Sequence, residues 1–68
     1  MTETVYMVRN KKSGFYLNYD GYEREYISFG HQWLLDKEAI YFIQDLDEPD
    51  DFEVVEIEIS YKELGVVE

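Results

Sequence analysis

Eight carboxylates crowd the stretch from Asp45 to Glu58: Asp45, Asp47, Glu48, Asp50, Asp51, Glu53, Glu56 and Glu58, with no Lys or Arg among them. Carboxylates at this density have three uses. They can hold a hard cation through oxygen ligands, work as an acid/base pair on a bound substrate, or present negative charge to a basic surface. The first use calls for a calcium loop. The run lacks that loop's central glycine, and Pro49 interrupts it, so no metal site is expected. The second use needs a concave site that buries much of a substrate, for which a chain of 68 residues leaves little volume. The third use fits without further requirements, and these eight residues are the candidate partner-binding set.

Other chemistry finds little support. Cysteine is absent, and Ser13, Ser28 and Ser60 have only His31 as a candidate base. No G-x-S-x-G elbow occurs. Gly14, Gly21, Gly30 and Gly65 are too far apart for a phosphate-binding loop. His31, alone beside Trp33, reads as a packed or hydrogen-bonded loop residue. No catalytic residue and no cofactor is expected, and the chain reads as a binding protein, not an enzyme. Direct nucleic-acid binding is disfavoured, because Arg9, Lys11, Lys12 and Arg24 are few and a net charge of −10 repels phosphate.

The charge is unevenly distributed. Up to Leu34 four acids face four bases, whereas the remainder carries twelve acids against Lys37 and Lys62, so the whole net charge of −10 belongs to the second half. Such asymmetry between halves is an interaction signal. The composition, 46% hydrophobic and 18% aromatic, is that of a chain with a core, unlike a disordered acidic tail. One domain spanning residues 1–68 is expected. It has no disulfide, so apolar packing must stabilise it. No apolar run approaches the ~20 residues of a membrane span. The first residues lack the basic and apolar regions of a signal peptide, so the cytoplasm is the expected compartment.

The elements that must position the carboxylates follow from periodicity. Thr4–Arg9, Phe15–Tyr19 and Tyr22–Phe29 are rich in β-formers and read as strands. They are separated by the polar turn Asn10–Gly14 and by Asp20-Gly21, a strong hairpin signal. In Asp36–Leu46, Ala39, Ile40, Ile43 and Leu46 recur at helical spacing, with Asp36 as N-cap and Pro49 forbidding continuation. Phe52–Tyr61 is a strand whose alternation is strict from Val55 onward, and a bulge is expected at Val54-Val55. Ser60–Glu63 matches a capping box that would open a last turn ending at Gly65. Leu64, Val66 and Val67 could instead extend the sheet, which leaves residues 62–68 open. The order is β-β-β-α-β: an α+β domain with a three-stranded antiparallel meander, one helix, then a further strand, the helix packed on one face of the sheet.

Glu56 and Glu58 point the same way from that last strand, about 7 Å apart at two strand residues, a distance similar to that between successive phosphates of a DNA strand. The hairpin Val5–Leu17, the Ala39-x-x-Phe42 helix and the acid loop leading into Phe52–Ile59 resemble, in style, small acidic single-domain proteins encoded by phages of Gram-positive bacteria, some of which inhibit host nucleic-acid-binding machinery as DNA mimics or anti-CRISPR proteins. The resemblance implies a basic, nucleic-acid-binding host protein as partner, in the host cytoplasm, and assigns no individual residue a role. Two alternatives stand beside it: a structural or assembly protein, for instance a homodimer through a free strand edge, and an acidic, antitoxin-like regulator of a basic partner.

Overall fold

A computed structural model describes residues Met1–Val67. The elements follow in the order β1 (Thr2–Asn10), β2 (Tyr16–Leu17), β3 (Glu23–Arg24), α1 (Asp36–Gln44) and β4 (Phe52–Ser60), with short 3-10 turns at Ile27–Phe29 and Pro49–Asp51. Four strands form one sheet in the order β3-β2-β1-β4, every pair antiparallel. The α+β class is therefore as expected. The meander is present in shortened form, and β4 joins the free side of β1.

The ladder between β1 and β4 dominates the sheet. It runs in unbroken one-to-one register from Thr2 opposite Ser60 to Asn10 opposite Phe52. The bulge expected at Val54-Val55 is absent. Both valines are half-buried because both faces of the sheet are covered at this point, which explains the apolar pair without an inserted residue. The second and third strands shrink to two residues each. The Asp20-Gly21 hairpin between them forms as expected: Gly21 takes φ 85°, a value that favours glycine, and Arg24 closes the turn on Asp20 at 3.0 Å.

The expected third strand does not continue to Phe29. After Arg24 the chain leaves the sheet, turns at Ile27–Phe29 and passes close to the face that carries Met7. That segment covers one side of β1, where Val5 and Met7 are buried. On the other side Val8, Leu17, Trp33 and Ala39 form the main core, with Tyr6, Phe42, Ile43, Leu46, Phe52 and Val54 packed around it. Trp33 is locked to Tyr6 by a reciprocal pair of backbone hydrogen bonds, each 2.8 Å. A chain of aromatic rings, Tyr19, His31, Trp33 and Phe42, with successive centroids 5.3, 4.4 and 4.9 Å apart, continues the core toward solvent.

The helix differs from expectation in two details. It ends at Gln44 and not at Leu46, and its N-cap is Leu35. Asp36 lies inside the first turn, its side chain accepting the Lys37 amide at 2.8 Å. Its buried face is also rotated: Phe42 packs against Trp33, while Ile40 is 42% exposed. Trp33, fixed to β1, selects the ring of Phe42 as its contact. The last turn expected at Ser60–Gly65 does not form. Tyr61 to Val67 carry no regular structure, and Leu64, Val66 and Val67 are exposed and outside the sheet; Glu68 lies outside the described residues. The end of the ladder is held by the Tyr61 amide, which donates to Met1 O at 2.9 Å, and by Tyr61 Oη, which donates to Glu3 Oε2 at 2.7 Å.

Candidate functional site

Antiparallel pairing of β1 with β4 folds the neutral half of the sequence onto the acidic half. The consequence is local neutralisation. Arg9, opposite Glu53 in the register, grips Glu53 Oε2 with Nη2 at 2.7 Å and Nε at 2.9 Å. Lys12 lies 3.4 Å from Asp51, and Lys11 Nζ donates to the Asp50 carbonyl at 3.0 Å. The Glu53 carboxylate and a hydrogen bond to Tyr16 hold the Arg9 guanidinium above its ordinary pKa. Two of the eight candidate carboxylates, Asp51 and Glu53, are thus ion-paired within the chain. The missed signal was the clustering of Arg9, Lys11 and Lys12 at the end of the strand that pairs with β4.

Glu48 and Asp51 share a hydrogen bond at the Pro49–Asp51 turn. Glu48 is pushed above the usual glutamate range, first by that bond and then by the adjacent charge of Asp51. Asp51 is held below the usual range, first by the bond to Glu48 and also by Lys12 and Lys11. The two carboxyls border a shallow cleft with Asn10, Leu17, Gly21 and Asp47. Among the described residues no three acidic or histidine side chains converge to hold a metal ion.

The remaining carboxylates are exposed. Asp45 follows the last residue of α1, Asp47 and Asp50 lie in the loop, and Glu56 and Glu58 stand on β4. Alternation puts Glu56 and Glu58 on the sheet face that also carries Phe52 and Val54, whereas Glu53 belongs to the opposite face with Val55, Ile57 and Ile59. The eight residues therefore do not make one continuous strip. They separate into a loop group (Asp45, Asp47, Glu48, Asp50), a neutralised group (Asp51, Glu53) and a strand pair (Glu56, Glu58). Among the described residues, neither member of the strand pair has a base within ion-pair distance.

Exposed aromatic side chains are available as contacts: Tyr22 and Tyr26 are 69% and 63% exposed, and Tyr41 on α1 is 63% exposed. Among the described residues no helix is long and apolar enough to cross a membrane. Comparison with protein-family models, curated proteins and solved structures finds no match to this chain, so its geometry is the basis on which a function can be assigned.

Proposed function

We propose that the protein is an acidic binding module that occupies the basic, nucleic-acid-binding surface of another protein and so inhibits it, in the manner of phage-encoded DNA mimics. The observation that carries this reading is the pair Glu56 and Glu58. They are exposed, side by side on one strand, and left uncompensated when folding neutralises Asp51 and Glu53. A domain of this size loses stability by accumulating like charge. It has bases that could have been placed opposite these residues, yet Tyr6 and Thr4 stand there instead. Negative charge fixed on a rigid ladder steers a cationic partner and sets its register.

The test is capture of partners from bacterial lysate at low salt, with double-stranded DNA as competitor. A basic nucleic-acid-binding protein should be retained, displaced by DNA, and lost with the Glu56→Lys/Glu58→Lys variant. A partner indifferent to DNA and to the charge reversal would remove the basis for mimicry.

A further inference from the structure

The exposed edge of β4 offers hydrogen bonds as well as charge. β4 is the outermost strand of the sheet, and its inner side is fully paired with β1. Its outward groups can be assigned residue by residue. Tyr6 gives both its backbone groups to Trp33, and Asn10 gives its amide to Phe15, both away from β4. Lys11 and Tyr61, one position out of step, bond across the ladder to Asp51 and Met1. The alternation of an antiparallel ladder then turns the N–H and C=O of Val54, Glu56 and Glu58 off the open edge, and those of Val55, Ile57 and Ile59 toward β1. Among the described residues no other backbone group bonds Val54, Glu56 or Glu58. Edges are commonly blocked by charged side chains, proline or a bulge. β4 has no proline and an unbroken register, and the only charges on it are glutamates, which repel an acidic strand and attract a basic one.

We infer that β4 is a strand-addition site for a partner segment that alternates basic with apolar residues. The inference rests on the docking function above and specifies its mode. An added strand sees both faces of β4. On one face its side chains meet Glu56 and Glu58, which call for Lys or Arg. On the other they meet Val55, Ile57 and Ile59, the last two lining a largely apolar groove with Met7, Ile27 and Gln32. Antiparallel self-pairing centred on Ile57 or on Glu56 sets like charges directly opposite each other, Glu56 on Glu58 or Glu56 on Glu56, which destabilises a second copy in those registers.

The probe is a capped synthetic peptide alternating lysine and valine, with a lysine-only peptide of equal charge beside it. The readout is amide hydrogen exchange. In the free protein Val54, Glu56 and Glu58 should exchange fast although they are mid-strand, while Val55, Ile57 and Ile59 are protected. Saturation with the alternating peptide should slow the first three at least tenfold, and the lysine-only peptide should not. Glu56→Lys/Glu58→Lys should abolish the slowing, with persistent protection of Val55 and Ile57 reporting that the variant is folded. Binding of both peptides without slowing would overturn strand addition and leave charge-driven docking intact. Failure of both peptides to bind would overturn both. Slowing of the same amides by raising the protein concentration alone would assign the edge to a second copy and overturn the inference.

Discussion

A methyl group at position 30 would sit 2.5 Å from Met7 Cε and 2.8 Å from Tyr16 Cβ. Gly30 is extended, so its role is close approach and not an unusual backbone angle. Met7 Cε can swing aside, but Tyr16 Cβ is fixed to its strand. Gly30→Ala should therefore cost about 1–3 kcal/mol, read as a lower urea midpoint at unchanged slope; an unaltered midpoint would show that the segment lifts freely off the sheet. The Glu48–Asp51 pair makes a second prediction at this scale. Glu48 is raised, so its contribution is present below its unfolded pKa and is lost as pH rises through the folded value. Asp51 is lowered, so its contribution is present above its unfolded pKa and is lost as pH falls through the folded value. The two carboxyls are displaced in opposite directions, each chiefly by the other. Carboxyl-carbon NMR titration should show the two values displaced apart, and Asp51→Ala should return Glu48 toward the ordinary range.

Element by element, legibility in the sequence followed how much of each signal was local. The β4 alternation, the Asp-Gly hairpin and the helix existed where periodicity put them, because neighbours in sequence determine them. The face of α1 was misjudged because Ile40 and Phe42 are both apolar, and only Trp33, brought in by its bridge to Tyr6, decides between them. The bulge and the long third strand were misjudged for a related reason: a second layer, Ile27–Gly30, covers the side of β1 that the alternation left unassigned. The acid strip was visible residue by residue, but its partition was not, since Arg9 and Lys12 reach Glu53 and Asp51 only through the ladder. The helix assignment can be checked directly. Phe42→Ala, at a half-buried site packed against Trp33, should destabilise by about 2 kcal/mol, whereas Ile40→Ala, at a site 42% exposed, should cost clearly less in the same thermal melts. Equal losses would place both side chains in the core.

Over the whole molecule, the net charge of −10 acts on a small core. The internal ion pairs lie at the surface, Arg9–Glu53 half-buried and Lys12–Asp51 more open, and each is worth at most about 1 kcal/mol. Self-repulsion among the uncompensated acids is the larger electrostatic effect, and it weakens as the screening length falls from about 10 Å at 0.1 M salt to about 3 Å at 1 M. The melting temperature should therefore rise with sodium chloride, the rise being reduced in Glu56→Gln/Glu58→Gln. A fall with salt would mean that the Arg9–Glu53 and Lys12–Asp51 pairs outweigh the repulsion.

The register that sets Thr2 opposite Ser60 has a temporal meaning. β1 is made before the other elements described, yet its longest ladder is with β4, made after them, and both small cores are built on β1. Closing a loop of this length costs entropy before any contact repays it. A nascent chain that stops short of Phe52 therefore carries Val5, Met7 and Val8 unshielded. The β1–β4 ladder can close only when Phe52–Ser60 has been made, and the half of the chain that waits for it is the neutral one.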